Sequence, residues 1–118
     1  MRAINPAFIG SQGSTIIVNI GPPSAFGYAT LGYGTTTAIT NNVTATASGG
    51  AAPYTYSWEY VSGDAEPTLN VLSSGTACWF WASFIAGTKS ALWKCVVTDS
   101  LGSTGESLPF TVDLEISS

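Results

Sequence analysis

No histidine occurs in the 118 residues of this chain. That removes the commonest general base, the usual metal ligand, and the Ser-His-Asp and Cys-His arrangements for nucleophilic attack. Seven carboxylates, two thiols and four indoles remain as groups with chemistry to offer. Glycoside hydrolysis needs two carboxyls flanking one cleft. Asp64 and Glu66 are close in sequence, but they sit in the Gly/Pro loop Ser62-Gly63-Asp64-Ala65-Glu66-Pro67 with no apolar wall around them. Both read as solvated loop charges. A calcium loop gathers several oxygens at Asp-x-Asp-x-Asp spacing, and this stretch is too sparse for one. Cys95 has no base beside it and falls at an inward strand position, which makes it an inert thiol. Gly32-Tyr33-Gly34 lacks the Lys and the helix of a phosphate-cradling loop. The sequence therefore predicts a non-enzymatic protein with no cofactor and no metal.

The indoles offer binding rather than catalysis. In Ala77–Phe84, if Cys78, Phe80 and Ala82 face inward, a period of two sends Trp79 and Trp81 to the opposite face. Two other readings stay open: a slip of one residue, which exchanges the faces, and coverage of both rings by the N-terminal segment. On the outward reading the paired Trp anchor a subunit–subunit or subunit–particle interface, because each ring buries a large area at little entropic cost. Exposed aromatic pairs also stack on sugars, and that is the rival chemistry.

The elements that must hold these residues are strands. Turn signals recur at Gly21-Pro22-Pro23, Gly32-Tyr33-Gly34, Gly49-Gly50, Ser62-Gly63-Asp64, Ser73-Ser74-Gly75, Ala86-Gly87-Thr88 and Ser100-Leu101-Gly102. Short runs rich in Val, Thr and aromatics lie between them, the pattern of an all-β sandwich or barrel. The expected strands are 14–20, 37–47, 54–61, 68–72, 77–84, 91–98 and 107–116. In the last, Leu108, Phe110, Val112, Leu114 and Ile116 alternate with Thr111, Asp113 and Glu115, giving one core face and one wet face. Pro109 costs a ladder hydrogen bond, so an edge or a bulge is expected there. Tyr54, Tyr56 and Tyr60 share the face of Trp58 and are expected to be mostly core. Residues 1–36 form a different region, rich in Gly and small residues, with Phe8, Phe26, Tyr28 and Tyr33 and one charge, Arg2. Disordered tails are charged and poor in aromatics. This segment is read as an arm that orders against its own sandwich or against a neighbouring subunit, ahead of a single domain over 37–118.

Only 8% of residues are charged, against about 25% in ordinary soluble domains, while 45% are hydrophobic and 12% aromatic. Low charge removes the repulsion that keeps copies apart. The composition points to a surface largely occupied by other protein. A net charge of -4, with Arg2, Lys89 and Lys94 as the only basic residues, offers no patch for nucleic acid or for an anionic membrane. No stretch has the pattern of a signal peptide or the length of a membrane span. The chain is expected to be made and first assembled in a cytoplasm, with its cysteines free.

Three strings carry a resemblance: Gly49-Gly50 ahead of Pro53-Tyr54-Thr55-Tyr56-Ser57-Trp58, then Trp93-Lys94-Cys95, and Val97-Thr98-Asp99-Ser100-Leu101-Gly102. Over residues 37–116 the chain resembles immunoglobulin-like and PKD-like domains, above all the small Ig-like structural proteins of tailed bacteriophages. The resemblance implies an antiparallel β-sandwich with Trp58, Phe80, Trp93, Cys95, Val97, Phe110 and Val112 in its core. Two departures stand out. Ala45 or Ala47 occupies the place of the usual first cysteine, so the family's inter-sheet disulfide cannot form. Cys78 falls on the fifth strand instead, and a bridge to Cys95 is conceivable but not predicted. Trp93 stands where the family has Tyr, so the tyrosine-corner hydrogen bond is lost or passes to the indole N–H.

The resemblance implies a virion structural protein, most simply a capsid decoration or cement protein and next a tail accessory protein. Its partners would be the major capsid or tail protein and copies of itself. The interface residues expected from the residues themselves are Trp79 and Trp81, by strand alternation, and Phe8, Phe26 and Tyr28, from the N-terminal segment. The alternative is a carbohydrate- or receptor-binding Ig-like module for host attachment, whose partner is a surface glycan.

Overall fold

The computed structural model describes residues 15–117 apart from residue 33. Among these it is all β, with strands β1 (Ile17–Gly21), β2 (Ser24–Thr30), β3 (Thr36–Ile39), β4 (Val43–Ser48), β5 (Thr55–Gly63), β6 (Thr68–Val71), β7 (Ala77–Phe84), β8 (Gly87–Thr98), β9 (Thr104–Glu106) and β10 (Phe110–Ser117). One sheet runs β1–β4–β7–β6, with β3 continuing the line of β4 along β7. The other runs β5–β8–β10–β2, with β9 continuing the line of β10 along β8. Two facing sheets in this order, antiparallel except where β2 joins β10, make an Ig-like sandwich.

Three one-residue bulges place the side chains, and each corrects an expectation. Ile39 faces Trp81 but Val43 faces Cys78, so an extra residue sits at Thr40–Asn42 and the single strand expected over 37–47 is two. There the Phe80 N–H donates to Thr40 Oγ1 at 2.9 Å instead of to a carbonyl. A second bulge lies at Leu108–Pro109, where proline cannot pair. Ser107 takes the inward position: its N–H donates to Cys95 O, and its Oγ accepts from Cys95 N. Leu108, expected in the core, is expelled and 85% exposed. The third bulge lies between Tyr60 and Ser62 on edge strand β5, and Tyr60 is exposed there rather than core.

The segment before residue 37 supplies a strand to each sheet. Gly21-Pro22-Pro23 carries the chain across from β1 to β2, and β2 pairs in parallel with β10. Residues 24–30 thus order against their own sandwich. Gly27 is what allows this closure: a Cβ there would lie 2.8 Å from Leu114 Cδ2 and closer still to the Ile39 carbonyl oxygen. Flanking it, Phe26 N donates to Asn41 Oδ1 at 2.9 Å, stapling β2 to the β3–β4 bulge.

The core between the sheets holds Trp58, Phe80, Cys95, Val97, Phe110 and Val112, with Trp93 half-buried against it. Its aromatic rings form a chain across the gap. Phe80 from one sheet meets Trp93 at 5.0 Å and Phe110 at 6.1 Å from the other, and Trp58 meets Phe110 edge-on at 5.9 Å. Trp58 Nε1 donates to Gly75 O at 3.0 Å. Trp93 Nε1 is buried without a partner among the described residues, so the corner hydrogen bond is not passed to the indole.

The hairpin after β8 is held by a residue the sequence marked only as part of a turn. Asp99 is buried, and its carboxylate accepts from Ala51 N (3.0 Å), Leu101 N (2.9 Å) and Ser103 N (2.9 Å). Donation from Ala51, joined by Ser103 and Leu101, holds this carboxyl below its ordinary value of 3.8 against the opposing push of burial.

Two outcomes follow from these contacts. Gly27→Ala is expected to lower stability by about 1–3 kcal/mol through backbone overpacking, read as a lower denaturant midpoint at unchanged slope. Asp99 contributes stability above its unfolded pKa, and that contribution is lost as pH falls through its lower folded pKa. Asp99→Asn should therefore be less stable at pH 7 and show a flatter loss of thermal midpoint between pH 5 and 2 (about one unit above and two below the free carboxylate).

Candidate functional site

Strand β7 lies between the β3–β4 line and β6, so its outward side chains occupy the middle of a sheet face. Cys78, Phe80 and Ala82 are buried, while Trp79 and Trp81 project the other way and are half-buried. Across the ladder Trp81 is flanked by Ile39 on β3 and Thr68 on β6, and Trp79 by Asn70. Ile39 is 56% exposed. One step along, Thr37 and Ser83 share a hydroxyl hydrogen bond of 2.6 Å. Thr44 and Thr46 on β4 and Asn19 on β1 extend the same polar surround.

Among the described residues, the strands of this face carry no charge. None of β1, β3, β4, β6 and β7 contains an Asp, Glu, Lys or Arg. Every charged strand residue belongs to the opposing sheet: Glu59, Lys89, Lys94, Glu106, Asp113 and Glu115. There Lys94 Nζ meets Glu106 at 2.8 Å beside Glu59, and that carboxylate raises the Lys94 pKa. The segregation was not read from the sequence, although the strands expected at 14–20, 37–47, 68–72 and 77–84 already contain no charged residue. Ile39 was missed as well, because its outward position depends on the bulge that follows it.

The residues singled out for an interface do not form one surface. Phe26 and Tyr28 are about half exposed, but they lie on β2 beside Asp113 and Glu115, on the charged sheet. Tyr28 shares a hydrogen bond of 2.7 Å with Ser117 Oγ. Phe8 lies outside the described residues. A separate uncharged cleft of about 240 Å³ opens where β1 passes the second bulge, between Ile20, Pro23 and Leu108.

The loop carboxylates are engaged in structure. Asp64 accepts from Ser90 N at 2.9 Å, and Glu66 stands 3.7 Å from Lys89, whose ammonium also lies 5.7 Å above the Phe84 ring. No group of three or more His, Cys, Asp or Glu able to hold a metal occurs among the described residues. No helix among them is long and apolar enough to cross a membrane. Cys78 and Cys95 are free and fully buried. Burial, reinforced by the neighbouring Cys95, pushes Cys78 up to about 12. Burial likewise pushes Cys95 up to about 11, partly offset by a backbone hydrogen bond from Ser57.

No family model and no curated protein matches the chain. Among solved structures it is similar to the tandem Ig repeats of Dlar, at 17% identity and a TM-score of 0.37, covering 85% of this chain and 47% of that one. The chain thus spans about half the length of that structure. It is also similar to the M1 domain from titin, at 9% identity and a TM-score of 0.28, covering 86% of this chain and 92% of that one.

Both thiols should resist a thiol-labelling reagent in the native protein and react fully in denaturant. Their folded values lie above the ordinary 9.0, so unfolded thiols ionise first, and stability is lost as pH rises from 9.0 towards the folded values of about 11 and 12. A Cys78→Ala, Cys95→Ala double variant should show a shallower alkaline slope in its denaturation midpoint, with Tyr56 and Lys94, whose folded values are also raised, supplying what remains. An equal slope in both proteins would refute the thiol origin.

Proposed function

We propose that this protein is a non-enzymatic structural component of a virus particle, decorating or cementing a capsid, with a tail accessory role as the next setting. The observation that carries the reading is the uncharged sheet face centred on Trp79 and Trp81. Interfaces concentrate affinity in central aromatic anchors surrounded by polar groups that exclude water. Here two indoles and Ile39 occupy the centre, and Thr37, Thr68, Asn70 and Ser83 surround them. No charge on this face would have to be stripped of water and left unpaired on docking, a cost of several kcal/mol per ion. Copies repeated on a symmetric shell gain further through avidity.

A second reading is favoured by the same surround. Hydroxyls and amides beside two indoles also suit a neutral glycan stacked on the rings, which would make the chain a module for host attachment. Particle composition and ligand response separate the two.

Quantitative mass spectrometry of purified particles should find the chain in hundreds of copies if it decorates a shell, and in a few to a few dozen if it belongs to a tail. Absence from particles would sink the virion reading. Trp79→Ala and Trp81→Ala should each weaken retention on particles by about tenfold or more. If the glycan reading holds instead, the same substitutions abolish a glycan-dependent shift in Trp fluorescence and leave the protein monomeric. Unchanged particle retention together with an unchanged glycan response would remove the Trp face from both.

A further inference from the structure

We infer that the partner covering the uncharged face is a second copy of this chain, so that the working unit is a two-fold dimer joined through β7. This rests on the reading of the Trp face as a protein-docking surface, and names its occupant.

The first argument is electrostatic. The chain is acidic overall, at -4, and two copies meeting through the β5–β8–β10–β2 sheet would bring Glu59, Asp113 and Glu115 against their own kind, while Lys94 beside them is already paired with Glu106. Like charges set face to face in an interface cost several kcal/mol. Meeting through the other sheet reverses this. Packed sheets lie about 10 Å apart, so the two charged outer faces end up about 30 Å from one another across three sheet-to-sheet gaps. That is several times the Debye length of about 8 Å at physiological salt, and the repulsion is screened out. Of the two broad faces of the sandwich, only this one lets the chain stack on itself without charge opposition.

The second argument is geometric. Trp79 and Trp81 are two residues apart on one strand, about 7 Å along it, with buried Phe80 between them. A two-fold axis lying in the interface and crossing β7 at Phe80 sets Trp79 of one copy against Trp81 of the other. Each anchor then meets an anchor, as hot spots do across interfaces. Trp81 brings its cross-strand neighbour Ile39 into the same centre. The contact is isologous and closes at two copies.

The third argument is size. Four strands at about 4.8 Å spacing and about six residues at about 3.3 Å each give a face of about 20 by 20 Å, or ~400 Å² in projection per copy. Side-chain relief raises the accessible area above the projection. Two such faces reach the lower end of specific interfaces, about 1,000–1,200 Å² in total. A dimer in the micromolar range is expected, strengthened when its copies are held together on a particle.

Sedimentation of the full chain over a concentration series tests this. The expected result is a monomer–dimer equilibrium that does not weaken with added salt. Ile39→Lys, an exposed position, should raise the dimer dissociation constant at least about 100-fold by placing a like-charged pair at the axis, and Asn70→Asp should act in the same direction. Thr111→Lys, exposed on the opposing sheet, should leave it unchanged. All three variants should keep the parent's far-ultraviolet dichroism and thermal midpoint. A chain that stays monomeric up to about 1 mM, the limit of weak binding, would overturn the inference, as would a dimer indifferent to Ile39→Lys or one broken by Thr111→Lys. A monomer still retained on particles through Trp81 overturns the dimer while leaving the docking reading intact. A dimer broken by Ile39→Lys in a chain absent from particles supports the dimer and removes the virion.

Discussion

Phe80 is the residue on which the rest depends. It is fully buried, and from the β1–β4–β7–β6 sheet it packs on Trp93 and Phe110 of the opposing sheet. Burying one such ring is worth about 1.5–3 kcal/mol. Because strand side chains alternate, fixing Phe80 inward fixes Trp79 and Trp81 outward. A one-residue slip would drive both indoles into a core that already holds Trp58 and Trp93, and overpacking costs about 1–3 kcal/mol for far smaller additions. The display of the Trp pair is therefore set by the core and does not depend on anything the pair itself contacts.

Charge placement follows the same division. One sheet bears all the strand charges and keeps a wet outer surface, with Lys94 held by Glu106 beside Glu59. The other is built from Thr, Ser, Asn and apolar residues and has nothing to repel a neighbour. Unprotected sheet edges would make such a chain prone to uncontrolled pairing. Three of the four outer strands are managed locally: β2 closes against the β3–β4 line through Gly27, β6 is only four residues long, and β5 is broken by its bulge and carries Glu59. A neutral face with guarded edges favours contact face to face over pairing edge to edge.

Much of this was legible in the residues, and what was not has a physical reason. The run Ala77–Phe84 marked the boundaries of β7, but its alternation left two facings open, because a slip of one residue exchanges them; the burial of Cys78, Phe80 and Ala82 decides between them. The alternation in the last strand held from Phe110 to Ile116 and failed at Leu108, because a bulge changes parity without changing composition. The bulge at Thr40–Asn42 hid Ile39 for the same reason: no period announces a hydroxyl standing in for a carbonyl. Strand β2 was read as arm because Ser24-Ala25-Phe26-Gly27-Tyr28-Ala29-Thr30 is rich in small residues. Those small residues are what close approach to β3 demands. Asp99 passed as an ordinary turn residue because its third donor, Ala51, is 48 positions away.

The family resemblance raises the question of what replaces the inter-sheet disulfide. Ala45 stands buried on β4, and Cys78 and Cys95 remain reduced on β7 and β8. A disulfide contributes about 2–4 kcal/mol. Aromatic pairs contribute about 0.5–1.5 kcal/mol each beyond their area burial, and the core has three, Trp58–Phe110, Phe80–Phe110 and Phe80–Trp93, with Tyr60–Trp93 at its margin. Together they match the missing bond in magnitude, and they hold in any redox environment. Two of the four pairs run through Phe80, so the contact that ties the sheets together is also the one that turns the indole pair outward. Stability and the display of a docking face are then not in competition here, since any sequence change that loosens Phe80 loses both at once.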